Sequence, residues 1–433
     1  MAIDLERLSQ TLQTTDTVRI KGRLRSVIGL ALSVELPDAR VGELVEIARA
    51  GQPALLGEIV GFDAKGVTVL PLGAADGLGP DDAVTPRREP LTIRVGPELL
   101  GRVLNGLGEP MDGGPALTGA KLRVTHASPP ALARPRIERA LALGVRTLDA
   151  FTTVGEGQRM GLFSAAGVGK STLLGQIAQA STADVFVLCL IGERGRELGD
   201  FLRDHLGEQG RARGVVVCAT SDAPALLRMK CPYVATTIAE AFRDQGLRVL
   251  LLVDSVTRFA RAAREVGLAA GEAPVRRGYP PSVFAALPGL LERAGTAERG
   301  SITAFYTVLV EGDDLDEPVS DELRGLLDGH VVLSRQIAAR GRYPAVDVTQ
   351  SLSRLMPRLV NPEHLAAAQA VRAHIALHEE KRDLLLLGAY RAGSDARLDA
   401  AIARAPEIDA FLAQRAEERA VFSETLETLQ MLV

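Results

Sequence analysis

The chain has 433 residues, 46% hydrophobic and 24% charged, with a formal net charge of −4. That is too long for one ordinary core and ordinary in composition for a soluble globular protein, so two or three domains are expected. The mildly acidic balance gives no overall pull toward nucleic acid or anionic lipid, and three cysteines without CxxC spacing (Cys189, Cys218, Cys231) suit a reducing compartment rather than disulfides or zinc.

The start, "MAIDLERLSQ", carries Asp4 and Glu6 and no apolar core, so it does not read as a signal peptide. No apolar run approaches the ~20 residues that a membrane helix needs. A soluble, cytosolic protein is expected, meeting a membrane only through a partner. Residues 1–86 read as short strands. "TVRIKGRL" alternates Val18 and Ile20 with Arg19 and Lys21, and "GELVEIAR", "GEIVGF" and "GVTVLPL" follow. Short strands at this spacing suggest a small β-barrel or sandwich. "VTPRREP" reads as a connector.

Residues 87–358 change character. "RMGLFSA", "DVFVLCLIG", "GVVVCAT" and "RVLLLVDS" are near-continuous apolar runs, as in strands buried on both faces of a parallel sheet. Helical stretches lie between them, giving an α/β domain. In "APALLRMKCPYVATTIAEAFRDQG", Pro232 marks a break between two helices. Residues 359–433 are rich in Ala, Leu, Arg and Glu and read as a helical domain, with helix starts near Asn361 and Ser394.

Within the α/β part, the strand "GQRMGLF" runs into the turn "SAAGVG" and the helix "KSTLLGQIA". The amides of Ala166, Gly167, Val168 and Gly169, with those of Lys170, Ser171 and Thr172 opening the helix, form an anion cradle. Lys170 can reach the β- and γ-phosphates of a nucleotide, and Ser171 can place its hydroxyl on Mg²⁺. Ser164 occupies the first glycine position of the strict phosphate-loop pattern. Asp254 ends the strand "VLLLVD", where a carboxylate suits contact with the Mg²⁺ shell. "LIGERGRELGD" also follows a buried strand. Glu193 is the candidate to polarise an attacking water, and Arg194 could hold that water or a phosphate.

Several segments together resemble one family. "GRVLNGLGEPMDGG", "GVRTLDAFTTVGEGQRMGLFSAAGVGKSTLL", "LIGERGREL" and "LLLVDSVTRFA" resemble catalytic subunits of rotary-type ATPases. "RGYPPSVFAALPGLLERAG", "GRYPAVDVTQSLSRLMP" and "LLLLGAYRAGSDARLDAAI" narrow this to the export ATPases of type III secretion systems, on the injectisome rather than the flagellar side. The resemblance implies a RecA-like P-loop NTPase core with an N-terminal β-barrel for oligomerisation and a C-terminal helical domain facing chaperones and substrates. It implies ATP and Mg²⁺ as nucleotide and cofactor. Lys170, Ser171, Glu193, Arg194 and Asp254 would keep the roles given above. Tyr343 would pack its ring on the adenine, and Arg354 would be an arginine finger entering the neighbouring subunit's site. The implied partners are further copies of the chain in a ring, expected to be a hexamer, stator and stalk proteins, and effector–chaperone complexes. The implied place is the cytoplasmic base of the apparatus at the inner membrane.

Other readings remain open at this stage. One is a flagellar export ATPase. Another is a hexameric RNA translocase of the transcription-terminator type, although 4% aromatics and no Trp leave little for base stacking. A non-catalytic ring subunit is the third. His374 and His378 lack a third metal ligand and read as a helix face. The acidic stretch "EGDDLDEP" reads as a surface loop near a subunit contact, and the row Arg258, Arg261 and Arg264 as a solvated face or subunit contact. "RRGYPPSVF" reads as a rigid Pro-Gly loop.

Overall fold

The computed structural model describes residues 21–124, 127–310 and 317–433. Six strands at the start close on themselves: β1 (Gly22–Ile28), β2 (Ala31–Glu35), β3 (Leu44–Arg49), β4 (Gln52–Asp63), β5 (Gly66–Pro71) and β6 (Ala83–Pro86). Their order among the described residues is β1-β2-β5-β4-β3-β6, a barrel with no free edge. Alternation fills it. Leu32 and Val34 point inward between Ala31 and Ser33, joined by Leu24, Val45, Ile47, Ile59, Val69 and Val84. Val18 and Ile20 lie outside the described residues. The stretch expected to be a connector begins as β6. Val84 and Pro86 face β3 in register with Ile47 and Val45, and without that pairing the barrel would stay open.

The central sheet runs in the order Leu352–Ser353, Gly329–Leu333, Arg159–Ser164, Ser301–Leu309, Arg248–Asp254, Val185–Glu193, Gly214–Thr220, Val103–Asn105. Neighbours are parallel from Gly329–Leu333 to Val103–Asn105, and Leu352–Ser353 is antiparallel. The continuous apolar runs follow from burial on two sides. In Val185–Glu193, Val187, Cys189 and Ile191 enter one core while Phe186, Leu188 and Leu190 enter the other. Each such side chain contributes about 1.5–3 kcal/mol when fully buried. The apolar runs identified four of these strands. Ser301–Leu309 and Gly329–Leu333, which flank the P-loop strand Arg159–Ser164 on its two sides, were not among them.

The break expected at Pro232 is absent, and Ala225–Arg243 is one helix. Proline there removes one backbone donor and costs about 3 kcal/mol in an unsupported helix. The helix continues because Cys231, Val234, Ala235, Ile238, Ala239 and Phe242 are buried against the sheet, which outweighs that loss. The "RRGYPPSVF" loop likewise ends early: Pro281 opens a helix, Pro281–Leu291, and Tyr279 is buried.

The C-terminal helices Pro362–Glu380, Ala396–Leu412 and Phe422–Met431 share a core with the short helix Arg146–Phe151, while Arg382–Leu386 buries no residue. Asn361 caps the first, accepting from His364 N at 2.8 Å. The helix expected to start near Ser394 begins at Ala396, capped by Asp395, whose carboxylate accepts from Arg397 N and Leu398 N. A carboxylate there also complements the helix dipole. No helix among the described residues is long and apolar enough to cross a membrane. The acidic stretch at 311–316 lies outside the described residues.

Candidate active site

The P-loop strand delivers its chain end to the C-terminal edge of the sheet, and the helix Lys170–Ala180 begins immediately beyond the turn. Gly167 and Gly169 have φ of 79° and 85°, a region that L side chains rarely adopt. Both are needed to turn the amides of Ala166 to Ser171 toward one point. Ala166, Gly167 and Ser171 are exposed there, Thr172 is half-buried and Val168 is buried as the anchor of the loop. Ser164 is buried, and its hydroxyl has no hydrogen-bond partner among the described residues.

Lys170 and Asp254 form an ion pair through Nζ and Oδ1. Asp254 ends Arg248–Asp254, is almost fully buried, and also accepts from Thr307 Oγ1 at 2.7 Å. Two donors on one oxygen offset the cost of burying the charge. Glu193 ends the adjacent strand, three residues beyond Leu190, the register partner of Asp254. Its pKa is pushed up to about 7, first by burial, then by a hydrogen bond shared with Glu197 and by the charge of Asp254. The cations of Arg258 and Lys170 oppose that rise. Glu197 moves the other way, held low chiefly by the same hydrogen bond.

Arg194 is exposed and pairs with Glu197 at 3.3 Å. The cation on Glu193 is Arg258, at 2.9 Å. Arg258 also donates to the Gly192 carbonyl. The reading of Arg258, Arg261 and Arg264 as a solvated face is therefore corrected. All three are half-buried, and Arg264 lies over the Tyr279 ring at 5.2 Å. Position alone put Arg258 in the first turn of the helix that Asp254's own strand feeds, but did not give which way its side chain faces. Thr307 had no positional signal, because it comes from a strand remote in sequence.

The Tyr343 ring stands beside the P-loop. A methyl group on Gly169 would lie 3.3 Å from it. The ring and the P-loop helix line a cavity whose third wall is the segment 413–418 of the C-terminal region. That wall was not anticipated. Arg354 is not brought to this site. It follows the edge strand Leu352–Ser353, two strands from the P-loop strand, and its exposed side chain donates to the Arg324 carbonyl at 3.1 Å.

Hard oxygen donors on Ser171 and Asp254 at the P-loop fit a divalent ion whose remaining ligands are phosphate oxygens and water. No cluster of three or more His, Cys, Asp or Glu side chains suited to a metal occurs among the described residues.

Comparison with known proteins matches this arrangement. Residues 144–353 match the model for the ATP synthase alpha/beta family, nucleotide-binding domain, and residues 360–431 match that for the T3SS EscN ATPase C-terminal domain. The type 3 secretion system ATPase of Xanthomonas euvesicatoria is 50% identical over 98% of this chain and 96% of its own length. The flagellum-specific ATP synthase of Treponema pallidum (strain Nichols) is 49% identical over 97% and 95%. The assembled ATPase EscN from the type III secretion system of enteropathogenic E. coli superposes with a TM-score of 0.90 at 43% identity, covering 95% of this chain and 99% of that one. With the P-loop, the buried Asp254 and the C-terminal helices all in place, the chain belongs to the type 3 secretion system ATPase family and is an ATP-hydrolysing enzyme with a RecA-like core.

Proposed function

We propose that the chain works as a homo-oligomeric ring, expected to be a hexamer, at the cytoplasmic base of a type III secretion apparatus. There it uses ATP to release chaperones from secreted proteins and unfold them for export. The observation that carries the catalytic part is the convergence of Lys170, Asp254 and Glu193 at one end of the sheet while Arg354 sits on its exposed edge. One chain holds three parts of a hydrolytic site and offers the fourth to a neighbour.

In this reading the amides from Ala166 to Thr172 cradle the phosphates, and Tyr343 packs against the adenine. Lys170 leaves Asp254 to meet the γ-phosphate, and Asp254 and Ser171 hold Mg²⁺. Bound there, the ion would supply positive charge to the phosphate oxygens. Glu193, once deprotonated, orients water for in-line attack, with Arg194 and Arg258 beside it. Arg354 of the next subunit stabilises charge on the transferring group. Residues 1–86 hold the ring together, 87–358 bind and hydrolyse ATP, and 359–433 face substrate and chaperone. The structure of EscN with its central stalk EscO, a TM-score of 0.88 from this chain, supports a stalk partner, and stator proteins complete the set. Contact with the inner membrane is peripheral, through the apparatus.

The test is Glu193→Gln. Nucleotide binding should persist while turnover falls by about 10²–10⁴, the usual worth of a positioned acid–base group. Turnover equal to wild type would refute the assignment. The 49% identity to a flagellum-specific relative favours flagellar export as a second reading. Restoring motility in a strain lacking its flagellar ATPase, but not secretion in one lacking its injectisome ATPase, would select it.

A further inference from the structure

The segment that walls the Tyr343 cavity is fixed by one side chain. Gln414 is buried, and every hydrogen-bonding atom of its amide is used. Its Oε1 accepts from Arg146 N at 2.7 Å, and its Nε2 donates to the carbonyls of Gly144 and Glu418, both at 2.8 Å. Its backbone N–H donates to the Tyr343 carbonyl, also at 2.8 Å. One residue later, the Arg415 carbonyl accepts from Gln176 Nε2 at 2.8 Å, and Gln176 lies on the P-loop helix. Residues 414 and 415 thus form a crossbar between the Gly144 turn, the Tyr343 loop and the helix that begins at the phosphate cradle. The same loop is tied outward by Arg340 to Glu379 and Arg342 to Asp409 on the C-terminal helices.

We propose that Gln414 is a positioning residue for the base end of the nucleotide. Its amide, with Gln176 as the second support, fixes the distance between the Tyr343 ring and the opposite wall, and so sets affinity for the purine without touching the phosphates. The inference rests on the reading that Tyr343 packs on adenine. An amide is required at 414 because the site presents one N–H and two carbonyls. A carboxylate would set an anionic oxygen against both carbonyls, and an apolar side chain would leave the Arg146 N–H and the Glu418 carbonyl unpaired and the Gly144 carbonyl with the Ala420 N–H alone.

The experiment measures binding of ADP and of tripolyphosphate, each with Mg²⁺, to the full chain by calorimetry. The proteins compared are wild type, Gln414→Glu, Gln176→Leu and Tyr343→Ala. Losing the crossbar should weaken ADP about tenfold in Gln414→Glu and severalfold in Gln176→Leu. Tripolyphosphate, which has no base, should bind as in wild type. If Gln414→Glu does not fold, Gln176→Leu decides alone. A parallel loss of ADP and tripolyphosphate would mean that the phosphate cradle itself is distorted, and would overturn the proposal. So would unchanged ADP affinity in both glutamine variants while Tyr343→Ala weakens it, since the crossbar would then be only a structural staple. Unchanged ADP affinity in Tyr343→Ala would remove the parent reading and this one together.

Discussion

Glu193 sits where burial, Glu197 and Asp254 all favour its neutral form, and Arg258 is the cation that holds the balance near neutrality. A base works only when deprotonated, so the acid limb of kcat/KM for ATP, which reports the free enzyme, should fall near pH 7. Arg258→Gln removes a cation that lowers the Glu193 pKa. The folded pKa then rises further, and the limb should move to higher pH, leaving less active enzyme at pH 7. A pH–rate profile of the variant with its limb unmoved would separate Arg258 from Glu193. The neighbouring Lys170–Asp254 pair gives a buried carboxylate a cation as its partner. Lys170 and Thr307 share one of its oxygens, so the aspartate would keep a donor if the lysine turned to a phosphate.

Between elements, one buried polar joint is Arg293 with Glu240. It ties the chain after Pro281–Leu291 to the helix Ala225–Arg243. Arg293 is 1% exposed, and its Nε and Nη2 meet the two Glu240 oxygens at 2.9 and 2.5 Å. It donates further to Thr237 Oγ1 and the Val124 carbonyl, both at 2.9 Å. Breaking such a pair from one side leaves a charge buried alone. Glu240→Gln should therefore destabilise the protein by about 3–5 kcal/mol in urea unfolding. The double change Glu240→Leu with Arg293→Met removes both charges and should cost clearly less. A double variant no more stable than Glu240→Gln would show that the helix joint depends on the charges themselves. The same helix tolerates Pro232, since its buried face supplies what the missing hydrogen bond does not.

For the assembled molecule, the placement of Arg354 on the exposed edge makes a specific demand. If it serves the neighbour's site, Glu193→Gln and Arg354→Ala should each be nearly inactive, because an arginine finger is worth roughly 10³–10⁵ in rate. Mixed before assembly in equal amounts, the two should regain activity. Roughly a quarter of interfaces would then pair an intact Glu193 with an intact Arg354 in a head-to-tail ring. Specific activity of the wild type should also rise with protein concentration as rings form. A mixture as inactive as its components would place Arg354 outside the reaction.

The local chemistry was legible in the sequence because its signals are short-range. The P-loop needs glycines at two positive-φ positions directly before a lysine, and a buried parallel strand needs an unbroken apolar run. Lys170, Asp254 and Glu193 each stand at such a strand or helix end. Family resemblance, not spacing, supplied Tyr343 and Arg354. Nothing in the order of residues announced that Thr307 would steady Asp254, that Arg258 would face Glu193 instead of solvent, or that residues 413–418 would wall the Tyr343 cavity. Those contacts join parts of the chain from 50 to more than 200 residues apart, or turn one side of a helix inward, and local pattern carries no information about either. They depend on which strand lies beside which and on where the C-terminal helices dock, and packing of the whole chain fixes both.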